Sequence, residues 1–343
     1  MTRLYRCGAA IAVLALPSAA LAQVYPARVA VKVHTEAYQS RDRARAEQTE
    51  RTTRTIHVGD GGWLDLGNVA GDITVTRGRG GDATVEIVKT ARARTDDDAK
   101  RMLTLVHVDV NETSRRAEVR ARYSNDTNLW GRSGNLDVSV AYNVSAPEGT
   151  RITAESISGA IRVTGIKDVS ANTISGDVHV SGAERLGSVK SVSGSVEVDD
   201  ANVDSLESGN VSGDVTIRRV KARRIEVGSV SGNVQLDNVD CDRVTAHTTS
   251  GDVTFAGRLS PNGRYELKSF SGEVHVGVTG GAGFELQANS FSGDVRSDLP
   301  ISTQGTGTQP HRGRRTVLTG TYGDGSAVIQ ATTFSGSIVI GKK

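Results

Sequence analysis

From residue 157 onward the chain alternates between apolar and polar positions in short runs, and each run follows a Ser-Gly pair. The glycines are Gly159, Gly176, Gly194, Gly213, Gly232, Gly251, Gly272, Gly293 and Gly336, spaced 17, 18, 19, 19, 19, 21, 21 and 43 residues apart. Behind them come Ile161/Val163, Val178/Val180, Val196/Val198, Val215/Ile217, Val234/Leu236, Val253/Phe255, Val274/Val276 and Ile338/Ile340, each pair enclosing one mostly polar residue. Val295-Arg296-Ser297 is the weakest copy. Another apolar residue stands before most Ser-Gly pairs (Ile157, Ile174, Val192, Val211, Val230, Phe270, Phe291, Phe334), with Thr249 the exception. Period-two alternation predicts strands with one buried face. A repeat of 17–21 residues predicts stacking, because one such unit cannot bury its own apolar face. No copy has a 3.6-residue period, which excludes helical repeats. The expected fold is all-β: a parallel β-solenoid of 17–21-residue rungs, right-handed and β-helix-like, with a β-rich N-terminal cap. Glycine after serine supplies a positive-φ corner, and the Asp or Asn that often follows is a common turn residue.

The region before the repeats has a different pattern. Alternating stretches such as Trp63-Leu64-Asp65-Leu66, Val85-Glu86-Ile87 and Val106-His107-Val108-Asp109-Val110 predict further strands. Ala70-Gly71-Asp72-Ile73-Thr74-Val75 reads as an early copy of the repeat. Residues 95–103 predict one short helix with an acidic start. Residues 302–324 stand where a Ser-Gly corner is missing and read as a loop or a degenerate rung. Four segments follow: a signal peptide at 1–22, a flexible charged lead-in at 23–54, the cap at 55–150 and the repeats at 151–343. The signal peptide is read from Arg3 and Arg6, the apolar run starting at Ala9, and Ala20-Leu21-Ala22. A cap is expected because an open sheet edge invites strand addition. No later stretch is apolar for long enough to make a membrane helix, so the mature chain is expected in the periplasm or secreted.

The Ser-Gly-Asp-Val-x-Val repeats, the opening Asn68-Val69-Ala70-Gly71-Asp72-Ile73-Thr74-Val75, the lead-in strand ending Val144-Ser145-Ala146-Pro147-Glu148-Gly149-Thr150 and the final Thr333-Phe334-Ser335-Gly336-Ser337-Ile338 resemble the bacterial putative-adhesin family. That family is an exported β-strand-repeat domain of unknown function, and the resemblance covers roughly residues 55–343. It implies an exported β-solenoid acting in the cell envelope, with no agreed catalytic residues to carry over.

Composition narrows the chemistry. Lys+Arg is 41 against Asp+Glu 39, a net charge of +2, and removal of Arg3 and Arg6 with the leader brings it to zero. A neutral chain argues against nucleic-acid binding, which needs surplus positive charge. Aromatics at 4% and 39 Gly suit a thin repetitive core. Loss of Cys7 with the leader leaves Cys241 alone between Asp240 and Asp242, either an inert packed thiol or a link to another chain. Seven His, at 34, 57, 107, 179, 247, 275 and 311, show no paired metal-ligand spacing. Corner-following residues form a column that ends in three acids, Asp252, Glu273 and Asp294. Either they hold a hard cation such as Ca²⁺, or they turn to water and accept turn N–H groups. No other cofactor is expected. Arg218, Arg219, Lys221, Arg223 and Arg224 read two ways. They form a patch for lipopolysaccharide, phospholipid or nucleic acid, or else a structural ladder with Asp199, Asp200, Asp204, Asp237, Asp240 and Asp242 one repeat away.

No nucleophile elbow, phosphate loop or zinc-hydrolase motif is present, and no catalytic residue is expected. The favoured reading is a non-catalytic envelope protein, an adhesin-like binding or scaffold module whose partner is an envelope protein or a glycan. One alternative is a β-helical polysaccharide lyase or hydrolase, which needs carboxylates converging on one face. The other is an envelope-stress sensor or scaffold.

Overall fold

The computed structural model describes residues 46–58, 61–124, 137–303 and 316–343. The expected signal peptide and most of the expected lead-in lie outside the described residues. Within them the protein is all-β: 24 strands joined in one sheet, with a single helix, Asp96–Leu103. The helix falls where its acidic start predicted, capped by Thr95, whose hydroxyl accepts from Asp98 N at 3.1 Å.

The apolar residue two places after each corner glycine lies beside its equivalent in the next copy. Ile161 neighbours Val178, and Val196, Val215, Val234, Val253 and Val274 follow in line, all in parallel pairing. All are buried, while the residue one step on (His179, Glu197, Thr216) is half-buried. In the copy from Gly213 to Ser231 the alternation breaks at 218–219, at 223–224 and at 230–231. At the first break Arg219 has φ 51°, as Asp200 (52°) and Asn238 (54°) do in the flanking copies.

At the glycine corner the backbones of successive copies come into close contact. A Cβ on Gly232, at φ +154°, would stand 2.0 Å from the carbonyl oxygen of Gly213. Only glycine lets one copy approach the next so closely. The corner carbonyls are then satisfied from inside the stack. Ser191 donates to Gly176 O at 2.9 Å, Ser229 to Gly213 O at 3.1 Å, and Thr248 and Ser269 to Gly232 O and Gly251 O at 2.8 Å each. All four side chains are buried in an otherwise aliphatic core, and their hydrogen bonds offset the cost of desolvating them. Ser156 is the exception: its hydroxyl has no partner, and the Gly71 carbonyl accepts from Asn68 Nδ2 instead, at 2.8 Å.

The segment around Gly71 stacks directly on the Gly159 copy although 88 residues separate them. Trp63–Ala70 pairs in parallel with Arg151–Ser158, and Ile73–Arg77 with Ile161–Thr164. On their other side the same two strands pair with Arg116–Tyr123 and Val138–Ala146, so their outer hydrogen-bonding edge is taken. Antiparallel pairing adds Ala46–Ile56, Ala83–Ala93 and Val106–Glu112.

At the other end chain order and spatial order part company. Ala327–Ser335 lies between Val253–Ser271 and Phe284–Ser292, in parallel with both, and Ile338–Lys342 lies between Val274–Gly281 and Val295–Ser297. The last copy in sequence is therefore the penultimate one in space. The 43-residue gap before Gly336 is not a missing rung: Thr316–Tyr322 runs back antiparallel to Phe284–Ser292 and occupies its outer side. Apolar content explains the exchange. Ile338 and Ile340 are fully buried between two neighbours, whereas the weak copy, with Val295 half-buried and Arg296 exposed, takes the outermost place.

Candidate functional site

Each corner of the repeat projects a column of side chains, and the three columns differ in chemistry. The residue after the corner glycine forms a hydrogen-bonded ladder. Asp177 Oδ1 accepts from Ser195 N, Asp214 Oδ1 from Asn233 N and Asp252 Oδ1 from Glu273 N, each at 2.8 Å, and Asn233 Oδ1 accepts from Asp252 N at 2.9 Å. Asp252, Glu273 and Asp294 are consecutive acids in sequence but do not stand on three adjacent copies. Ser337 comes between Glu273 and Asp294, because the last copy is inserted there. Glu273 meets His275 at 2.9 Å and Asp294 meets Arg296 at 3.0 Å. Each of the three carboxylates therefore has its own local partner.

The second corner carries ion pairs. Arg218 contacts Glu197 and lies 3.9 Å from Asp199, while Arg219 reaches Asp200 at 2.6 Å and Asp199 at 3.3 Å. His179 Nδ1 joins this group, 3.2 Å from Glu197 and 3.8 Å from Asp199, so one imidazole and two carboxylates converge. His179 was not singled out from sequence as belonging to such a group; its 18-residue offset from Glu197, one repeat length, was the signal. Burial, and after it the Glu197 charge, push the Asp199 carboxyl above the usual range, against the pull of the two arginines. Arg218 and Arg219 supply the positive charge that a cation would otherwise bring. The sequence-based ladder is thus half built. Its Arg219–Asp200 and Arg223–Asp204 contacts are present, but Asp237 pairs with Lys343, and Lys221 and Asp240 are register partners without an ion pair.

The third corner holds the least satisfied charge. Arg224 lies in register with Arg243, and Arg243 with Arg264, on neighbouring parallel strands. None of the three makes an ion pair or side-chain hydrogen bond, in contrast to Arg223, which contacts Asp204. Together with Ser205, Asp204, Asp242 and Asn262 they line an open cleft of about 520 Å³. Each of these arginines stands eight residues before its next corner glycine (232, 251 and 272), a regularity visible only when the copies are counted backward. Counted forward, two extra residues at the Asn262 turn put Arg264 out of phase. Cys241 lies beside this corner with its side chain turned inward. It is 1% exposed, its thiol is pushed up to about 11 by burial, and it donates to Arg243 O at 3.1 Å. A link from this buried sulfur to a second chain is sterically out of reach.

The apolar residues that precede each Ser-Gly pair point outward. Ile157, Ile174, Val192, Val211 and Val230 are exposed, and so are Phe270, Phe334 and Phe291. The three phenylalanine rings stack face to face, with Phe334 in the middle at 4.9 and 4.7 Å, so they present their edges to solvent.

Among the described residues, parallel copies turn at glycine corners and carry columns of charged side chains, which defines an all-β repeat domain. The Toastrack DUF4097 family model matches residues 64–341, and the chain belongs to that family, a domain of unknown function. No curated protein matches the chain. Among solved structures the chain is similar to a putative adhesin from Parabacteroides merdae, with 12% identity and a TM-score of 0.43 over 85% of this chain and 96% of that one. It is also similar to a putative adhesin from Parabacteroides distasonis, with 14% identity and a TM-score of 0.42 over 85% and 97%. A putative lipid binding protein from the same species matches with 13% identity and a TM-score of 0.39 over 86% and 97%. No helix among the described residues is long and apolar enough to cross a membrane.

Proposed function

We propose that the protein is an exported, non-catalytic binding module of the cell envelope. The scaffold in this reading is a right-handed parallel β-solenoid of 17–21-residue rungs, closed at its N-terminal end by strands within residues 55–150 and delivered by a signal peptide at 1–22. The observation that carries the reading is the cleft at the third corner, where Arg224, Arg243 and Arg264 remain unpaired around an open volume of about 520 Å³. That volume falls in the range of ligand sites, about 300–1,000 Å³. Unpaired like charges in register disfavour a sheet, so their presence makes sense when a ligand answers them. Family membership leaves the ligand open.

The test is a panel of neutral and acidic glycans, including pectin and alginate, assayed both for binding and for products. Saturable binding without turnover supports the module. Release of reducing ends or unsaturated products, abolished by removing one surface carboxylate, overturns it in favour of an enzyme. For export, the intact mass of the periplasmic protein is expected to begin at Gln23, and a retained leader would contradict it.

A further inference from the structure

Arg224, Arg243 and Arg264 form a row that runs across the strands and along the stack. Neighbouring strands lie about 4.8 Å apart, so the row presents three guanidiniums over roughly 10 Å. On the copy that carries Arg224, the neighbouring arginines are each answered by an acid: Arg218 by Glu197, Arg219 by Asp200, Arg223 by Asp204. Along this row the repulsion is left standing, and an incoming anion relieves it.

We propose, building on the binding-module reading, that this row binds a linear acidic polysaccharide laid along the stack, with carboxylates of the chain seated on the arginines. Spacing is the first reason. An extended acidic peptide offers the side chains of one face about 6.7 Å apart, so by its third group it has fallen out of step with strands about 4.8 Å apart. Cleft chemistry is the second reason. Asp204, Asp242, Asn262 and Ser205 bring hydrogen-bond acceptors next to the arginines. Sugar hydroxyls can donate to them, whereas a polyphosphate has no donor for Asp242. Guanidinium forks hold carboxylates bidentately, which gives each step a defined geometry.

The experiment is titration calorimetry of the full mature chain with polygalacturonate, a galacturonate length series, galacturonic acid, polyglutamate, inorganic phosphate and dextran. Affinity is expected to rise by at least tenfold from monomer to trimer, to change little with further length, and to fall steeply with salt. Arg243→Gln, at the centre of the row, is expected to weaken polygalacturonate binding at least tenfold; Arg224→Gln and Arg264→Gln weaken it less. Arg162→Gln, on another face, should leave it unchanged. All four side chains are exposed, so unaltered thermal melts are expected to show that the variants fold. Equal affinity for monomer and polymer, equal affinity for polyglutamate, or full binding by the Arg243→Gln variant overturns the proposal. A sample that binds neutral dextran but no acidic polymer also overturns it while leaving the module reading intact. Cleavage of the polymer defeats the module reading itself.

Discussion

The glycine corner and the arginine corner are built on the same strands and repeat at the same interval, yet they are opposites in satisfaction. At the glycine corner each copy from Thr173 to Thr333 donates a buried hydroxyl or amide to the carbonyl of its neighbour, with Ser156 alone unpartnered. At the arginine corner three copies place like charge beside like charge and leave it unanswered. Stacking multiplies whatever occupies a position: a complementary group becomes a ladder that locks register, and a charged group becomes a row that needs a counter-charge. The first corner holds the fold together; the second is available for something else.

That contrast makes graded predictions. Gly232→Ala should be the most damaging, because its Cβ would lie 2.0 Å from Gly213 O at φ +154°; a loss of at least about 3 kcal/mol is expected in urea unfolding. Gly280, at φ +142° with nothing within 4 Å, separates the two causes: Gly280→Ala should cost only about 1–2 kcal/mol. Equal losses would mean that backbone strain, and not contact between copies, sets the corner.

Next comes the interior. Val234→Asp buries an unpaired carboxylate and should cost several kcal/mol, whereas Gln235→Asp, on the exposed side, should stay within about 0.5 kcal/mol. Thermal melts showing the two variants alike would refute the assigned faces. Thr248→Val leaves the Gly232 carbonyl without its 2.8 Å partner and is expected to cost about 1–3 kcal/mol.

Beside the arginine corner, burial first of all raises the Cys241 thiol to about 11 and the Tyr265 hydroxyl to about 12, from 9.0 and 10.0. Because both folded values lie above the unfolded ones, their contribution to stability is complete below pH 9 and fades as pH rises towards 12. Chemical denaturation at pH 8 and pH 11 should show that decline, and alkylation of native Cys241 at pH 8 should run about 100-fold slower than in the unfolded chain. The smallest effect belongs to Arg243→Gln. Within about 0.5 kcal/mol it should be neutral or slightly stabilising, since it removes a repulsion rather than a bond. A clear destabilisation there would make the arginine row structural and erase the difference between the corners.

Much of this molecule is legible along the chain because its contacts recur at a fixed interval. A 19-residue offset puts Val215 beside Val234 and Arg218 beside Asp237, so counting from Gly213 and Gly232 anticipates which residues meet. The buried polar ladder is equally regular, one small polar residue three places before each corner glycine, but a small polar residue in an alternating run does not by itself show which way it points. The arginine row escaped forward counting because the turn at Asn262 lengthens one copy, and three-dimensional register absorbs the extra residues.

By itself the sequence determined the all-β class, the corner glycines, the buried alternates and the family, since each follows from local periodicity and from backbone conformations that only glycine adopts freely. Tertiary structure alone decided that the last copy slips between two earlier ones, which separates Glu273 from Asp294, and that Arg224, Arg243 and Arg264 face one cleft without partners. Local pattern fixes how each strand is made. Which strand lies beside which depends on the apolar area that every possible neighbour can bury, and that quantity belongs to the assembled stack.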